Sequence, residues 1–220
     1  MTTDTAPSLT RCTVCRGHAL ADFARVQGKT YLRCGDCQAT LMDRPHWPDP
    51  DQEKAVYDLH ENDADDPGYQ RFLAKLAQPL LARLRPGLRG LDFGCGPGPA
   101  LASMLADAGM EMTLYDPIYR RDEEALRHRY DFITCTEVAE HLRDPAGTFA
   151  GLDELLRPGG WLAVMTCFQT DDRRFANWHY RRDPTHIVFY REATLAWLAS
   201  RLGCQLEIPV KDVALFQKPA

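Results

Sequence analysis

The chain has 220 residues, 45% of them hydrophobic, and a formal net charge of −5; this suffices for one α/β domain of ordinary size with a small appendage. No apolar run long enough to span a bilayer stands in it, and Met1–Thr10 is short and polar. A membrane span and a secretory leader are therefore not expected, and a cytoplasmic location is. Residues 1–46 carry 6 Lys+Arg against 4 Asp+Glu, residues 47–172 carry 12 against 23, and residues 173–220 carry 8 against 4. So acidic a middle disfavours a nucleic-acid partner, which wants a larger basic excess.

In chain order, Cys12-Thr13-Val14-Cys15 and Cys34-Gly35-Asp36-Cys37 form C-x2-C-x18-C-x2-C. Each pair brings two thiolates to one side, and together they complete a tetrahedral S4 site suited to Zn2+. Residues 21–26 and 29–33 alternate around Gly28 as a hairpin should, so residues 1–45 read as a zinc ribbon. Four closed cysteine ligands leave no position for water, which makes the metal structural. Two disulfides, or a redox pair, fit a reduced compartment worse. Cys95, Cys135, Cys167 and Cys204 are scattered through apolar or turn segments. Prolines concentrate over residues 43–52, so 46–52 is expected to be a linker. Residues 52–59 then read as a helix, 61–68 as a polar break, and 69–84 as a helix with a stripe of Phe72, Leu73, Leu76, Leu80, Leu81 and Leu84. These helices occupy a 53–88 segment ahead of a final domain at 89–220.

From Arg89 the alternation predicts strands near 89–93, 111–115, 130–135, 161–166, 204–209 and 213–218, with helices near 98–108, 145–156 and 191–202. That pattern makes a doubly wound α/β sheet, with ligands at the strand C-terminal ends. The stretch Leu91-Asp92-Phe93-Gly94-Cys95-Gly96-Pro97-Gly98 is a strand, a glycine turn and a helix start, where backbone lies open to a ligand. Its spacing departs from the dinucleotide fingerprint, because Pro99 takes the place of the third glycine. Asp116 ends the next strand, placed to accept hydrogen bonds from ribose hydroxyls.

Leu91–Gly98 and Asp116 resemble motifs I and II of the class I S-adenosylmethionine-dependent methyltransferases. Residues 130–142, with Thr136-Glu137-Val138-Ala139-Glu140-His141, and residues 155–162, with Arg157-Pro158-Gly159-Gly160, are similar to the family's fourth-strand segment and the turn before its fifth strand. They are closest to a Glu-His subgroup that includes quinone-pathway and sugar methyltransferases, and the similarity covers roughly residues 55–218. The resemblance implies a Rossmann-like methyltransferase sheet ending in an antiparallel hairpin at 205–208 and 213–216. It assigns Asp92, Gly94, Gly96 and Gly98 to the methionine moiety of S-adenosyl-L-methionine, Asp116 to the ribose, and Glu137 to the methionine end. Helices before motif I often cover the cofactor in this family, which makes Tyr57, His60, Asn62 and Tyr69 lid candidates. One departure is clear: residues 117–129 are short and charged, so the family's third strand and helix are shortened or missing.

Methyl transfer from a sulfonium is an in-line displacement that needs alignment and exclusion of water. A base is needed only where the acceptor must lose a proton. His141 is the leading candidate and His186 the alternative. Residues 175–190 mix aromatics with arginines and read as the acceptor segment, in which Arg181 and Arg182 suit an anionic group. The expected function is methyl transfer to oxygen or carbon of a small-molecule acceptor, anionic or sugar- or quinone-like. The alternative is an RNA methyltransferase gripping RNA with its ribbon. Against that stands Thr136-Glu137-Val138-Ala139, where methylases of exocyclic base amines show an Asn/Asp-Pro-Pro-aromatic motif. A binding module without catalysis is the weakest reading, because the motifs are intact.

Overall fold

Apolar residues that alternate near the N-terminus and run unbroken further on give this chain two different sheets. The computed structural model describes residues 6–59 and 66–220. In chain order the elements are β1 (Leu20–Val26), β2 (Lys29–Cys34), β3 (Thr40–Met42), α1 (Pro50–Tyr57), α2 (Pro67–Leu81), β4 (Arg89–Phe93), α3 (Ala100–Asp107) and β5 (Glu111–Tyr115). They continue with β6 (Tyr130–Thr136), α4 (Pro145–Leu155), β7 (Leu156–Met165), α5 (His179–Arg182), β8 (Val188–Phe189), α6 (Glu192–Leu202), β9 (Gln205–Val210) and β10 (Val213–Gln217). Two compact units result. One gathers residues up to 59 with Glu140–Thr148 and Cys167–Leu198; the other gathers residues from 66 to 139 with Phe149–Thr166 and Ala199–Ala220.

The second unit holds a six-stranded sheet in the order β5-β4-β6-β7-β10-β9. Strands β5, β4, β6 and β7 run parallel, and β10 pairs antiparallel with both β7 and β9. This is the doubly wound arrangement with a terminal hairpin that the sequence predicts. Parallel strands are covered on both faces, which is why Leu91, Phe132, Ile133, Ala163 and Val164 are all buried. The apolar stripe of α2 contributes Leu73, Leu76 and Leu80 to the same core. Between β5 and β6 stand an isolated antiparallel bridge from Asp116 to Arg120 and a 3-10 turn at Ala125–Arg127, but no strand or α-helix, so β5 is an edge strand and the third strand and helix are missing. Strand β7 begins five residues earlier than expected. Tyr130 pairs with Leu156 and Phe132 with Trp161, so Arg157-Pro158-Gly159-Gly160 loops out between consecutive pairs, as a bulge rather than a strand boundary.

The first unit is built on an antiparallel sheet in the order β1-β2-β3-β8. Its hairpin turns at Gln27 (φ 52°) and Gly28 (φ 78°), two left-handed residues whose twist matches that of the flanking strands. The linear division into ribbon, linker, helices and final domain does not follow these units. Thr40 pairs with Phe189 and Leu41 with Val188, so a strand from the proposed acceptor segment extends the ribbon's own sheet. A two-residue strand is too short for periodicity to reveal. Tyr31, Phe175 and Phe189 then meet edge to face, with ring centroids 5.0 and 5.3 Å apart. Residues 46–52 are folded: a 3-10 turn at Arg44–His46 leads into Asp49, which caps α1 in a reciprocal box with Gln52. Among the described residues no helix is long and apolar enough to cross a membrane.

Candidate active site

In the six-stranded unit the strand β4 breaks at Gly94 (φ 79°) and Gly96 (φ 63°). A Cβ on Gly94 would stand 2.3 Å from a Val138 methyl carbon, so only glycine lets the two segments approach. The loop is laced to the end of β5: the Gly94 and Cys95 amides donate to the Tyr115 carbonyl at 2.8 and 3.2 Å. The Gly96 amide donates to Asp116 Oδ2 at 3.0 Å, while the Ile118 and Tyr119 amides donate to Oδ1 at 2.8 and 2.9 Å. A carboxylate offers about four acceptor positions, so three are taken and one on Oδ2 remains for a hydroxyl. The structural clamp role of Asp116 is one that spacing did not reveal.

Asp92, 4% exposed, accepts a hydrogen bond from Thr134 Oγ1 at 2.7 Å. Burial, with the Asp116 charge adding, pushes its carboxyl up to about 6 against the opposing Thr134 bond. Neither acid has an ion-pair partner among the described residues. Two uncompensated carboxylates beside an open glycine bend fit a ligand that carries both a cation and hydroxyls. Helix α3 adds an N-terminus with no side-chain cap; its Ala100 amide donates to the Gly98 carbonyl at 2.8 Å, which leaves the following first-turn amides to face a ligand. Glu137 closes β6 with a left-handed backbone (φ 52°) and donates its amide to the Met165 carbonyl at 2.8 Å, a conformation that non-glycine residues adopt under constraint. Tyr69 belongs to this neighbourhood, its hydroxyl pushed up by burial and by the Asp92 and Glu137 charges. Burial and the Asp92 and Asp116 charges push the Cys95 thiol up to about 12, which disfavours the thiolate a nucleophile needs.

The other unit brings the two predicted base candidates together. The His141 and His186 rings lie 4.7 Å apart, and their Nε2 atoms stand 3.8 and 4.0 Å from Glu140 Oε1. Tyr180 Oη donates to that same oxygen at 2.5 Å, and Glu140 is fully buried. His141 Nδ1 meets the Thr185 carbonyl at 3.1 Å and His186 Nδ1 meets the Tyr180 carbonyl at 2.7 Å. A carbonyl only accepts, so each Nδ1 carries a proton, and a ring in its neutral form keeps its lone pair on Nε2. Burial holds the His186 imidazole below its ordinary value, with His141 adding to this and Glu140 and Asp183 opposing. Tyr57 sets its ring edge-on to His141 at 5.1 Å; His60 and Asn62 lie outside the described residues. Glu140, Tyr180 and Asp183 escaped the sequence reading, although the Glu-His pair pointed at the first. The Glu140, His141 and His186 ligand atoms lie within 4.8 Å of one another, and two imidazoles with one carboxylate make a donor set for a divalent cation.

The four ribbon cysteines also converge within 4.8 Å. Cys12 Sγ stands 3.6 Å from Cys37 Sγ, and Cys15 Sγ 3.4 Å from Cys34 Sγ. Sulfurs about 2.3 Å from a zinc ion at tetrahedral angles would be separated by about 3.8 Å, so the cluster fits that ion. Both knuckles close alike: the Arg16 amide donates to the Cys12 carbonyl and the Gln38 amide to the Cys34 carbonyl, each residue left-handed. The hydrogen bond from the Cys37 thiol draws the Cys12 thiol below its ordinary value, which favours the thiolate form that a metal requires.

A family model described as "Methyltransferase domain" matches residues 66–207. A ubiquinone biosynthesis O-methyltransferase of Nitrosospira multiformis is 33% identical over 144 residues, 54% of this chain and 55% of that protein. The chain thus spans about half the length of the curated relatives it matches. An O-methyltransferase family protein from Burkholderia thailandensis superposes with a TM-score of 0.55 at 15% identity, covering 78% of this chain and 61% of the other. The 1,6-didemethyltoxoflavin-N1-methyltransferase of the same organism, crystallised with 1,6-didemethyltoxoflavin and S-adenosylhomocysteine, gives 0.53 at 19% identity, covering 84% and 98%. At such identities these two likenesses establish the fold alone.

Proposed function

Because the chain belongs to the methyltransferase-domain family, we propose that it transfers the methyl group of S-adenosylmethionine to an oxygen of a small-molecule acceptor. The observation that carries the reading is the cradle in which Gly94, Gly96 and two unneutralised acids, Asp92 and Asp116, meet. When bound, the cofactor supplies an electrophilic methyl group on a sulfonium. Gly94 and Gly96 admit the ligand against bare backbone, and Asp116 Oδ2 accepts from a ribose hydroxyl. Asp92 and Glu137 face the cationic methionine end, so binding relieves the uncompensated charge of Asp92.

On the acceptor side, Nε2 of His141 or His186 takes the proton of the attacking hydroxyl. Glu140, held by Tyr180, stabilises the imidazolium that results. The Nitrosospira relative supports a quinone-like acceptor. Cys12, Cys15, Cys34 and Cys37 would hold one zinc, which would supply structural support to the ribbon. Calorimetry tests the cradle: S-adenosylhomocysteine should bind, and failure of the wild-type protein to bind it would sink the assignment.

A second reading is favoured by the convergence of the Glu140, His141 and His186 ligand atoms. These three would hold a divalent cation, which would polarise the acceptor oxygen in place of a base. Chelation that leaves the four-cysteine zinc in place by elemental analysis, followed by add-back of Mg2+ or Mn2+, separates the two, since only the metal reading then loses and regains turnover while S-adenosylhomocysteine binding stays constant.

A further inference from the structure

In the unit built on the ribbon, several arginines pair with carboxylates, whereas the one arginine buried among the described residues does not. Arg33 and Arg191 share Asp172, Arg16 takes Asp144, and Arg143 takes Glu53. Arg181, in α5, is 3% exposed and has no carboxylate partner among the described residues. Its Nη1 reaches the Tyr31 hydroxyl and its Nη2 the Gln27 side-chain oxygen, each at 3.4 Å, both neutral groups at the long limit of a hydrogen bond. Its Nε is buried with no acceptor. Burying an unpaired guanidinium is strongly unfavourable, so its presence calls for a partner.

A second cation sharpens the imbalance. Lys29 opens β2 half-buried, and its ammonium is held below the ordinary value by burial and by the nearby Arg181 charge, with Asp183 the opposing carboxylate. Asp183 is already engaged: the Thr185 amide and hydroxyl donate to its Oδ1 at 2.8 and 2.5 Å, and His186 faces its other oxygen at 3.9 Å. Two positive groups thus stand against one committed negative group. Beside them the β1–β2 turn is open: Gln27 is exposed, and a Cβ on Gly28 would meet nothing within 4 Å.

We propose that Arg181 and Lys29, with the Tyr31 hydroxyl, form an oxyanion subsite that receives a carboxylate or phosphate group carried by the methyl acceptor. The assignment of that anion to the acceptor rests on the methyltransferase reading above; the subsite itself does not. A guanidinium edge grips two oxygens of such a group at once, and Gln27, holding Nη2 only at 3.4 Å, is the group the anion displaces. The ribbon thereby gains a purpose besides its metal, since β1–β2 supplies Gln27, Lys29 and Tyr31 to acceptor recognition.

The test titrates the zinc-loaded full chain with benzoate, with benzamide as its neutral isostere, and with inorganic phosphate, read by calorimetry. At least one anion is expected to bind, with benzoate favoured over benzamide by about tenfold if the group is a carboxylate; phosphate binding alone assigns a phosphate. Arg181→Met and Lys29→Met should each abolish the anion's advantage and leave S-adenosylhomocysteine affinity unchanged. Arg181→Met should melt at or above the wild-type temperature, because it removes an unpaired buried charge. The proposal is overturned if neither anion binds, or if Arg181→Met melts several degrees lower and Lys29→Met keeps the anion preference. Anion binding without any S-adenosylhomocysteine binding would leave the subsite standing and defeat the methyltransferase reading instead.

Discussion

Replacing Asp92 by Asn should stabilise the fold while weakening the cofactor site, and the size of the first effect follows from burial. The Asp92 carboxyl titrates near 6 in the folded chain against an ordinary value of 3.8, a difference of about two units, or about 3 kcal/mol. Because the folded value lies above the unfolded one, the folded state binds the proton more tightly. The associated stability is fully present below about 3.8 and is lost as pH rises through about 6. At pH 7.5 the folded protein therefore carries a buried carboxylate at a penalty of about 3 kcal/mol, a large part of a typical domain's stability. Asn has the same shape and keeps an oxygen for Thr134. Urea unfolding at pH 7.5 should show Asp92→Asn more stable by up to about 3 kcal/mol, with the gap shrinking to about 1 kcal/mol at pH 4.5. Calorimetry at pH 7.5 should show S-adenosylmethionine binding the variant at least about tenfold more weakly, since an opposite charge nearby is lost. A variant less stable than wild type at pH 7.5, or a gap that does not narrow in acid, would refute the reasoning.

Asp116→Ala strands three backbone amides at the glycine bend; it should cost about 2–3 kcal/mol in urea unfolding and weaken S-adenosylhomocysteine more than tenfold, whereas equal affinity would remove Asp116 from the ribose role. Purified protein should contain one zinc per chain by elemental analysis, and Cys12→Ser should lose it together with turnover; unchanged zinc content would contradict the ribbon. With His186 as base, the acid limb of the kcat profile should lie below pH 6.5, because burial depresses its imidazole and only the neutral ring accepts a proton; a limb above 6.5 would exclude it. An electrophoretic shift against total RNA at moderate salt should be negative, and a salt-sensitive shift would favour the RNA reading.

Much of the fold was legible because its determinants are local. Apolar runs and the glycine turn set β4, β5 and β6 to within a residue of expectation, and the charged stretch at 117–129 announced the missing strand. The Pro-Gly-Gly at 158–160 misled for the same reason: it carries turn chemistry, yet β7 pairs on either side of it. In the site, His141 and His186 were singled out separately, but their pairing over Glu140 depends on bonds such as Ile187 to the Glu140 carbonyl and Met42 to the Ile187 carbonyl.

From the sequence alone came everything that short-range physics dictates: cysteine knuckles, the glycine bend with its acid one strand on, and the order of strands and helices. Tertiary structure decided that the ribbon's sheet continues into β8, that Asp116 clamps the loop it faces, and that Arg181 is buried without a counter-ion among the described residues. Each of those joins residues far apart in the chain or turns on burial, and neither the pairing of a two-residue strand nor the desolvation of a single guanidinium leaves a periodic trace along the chain.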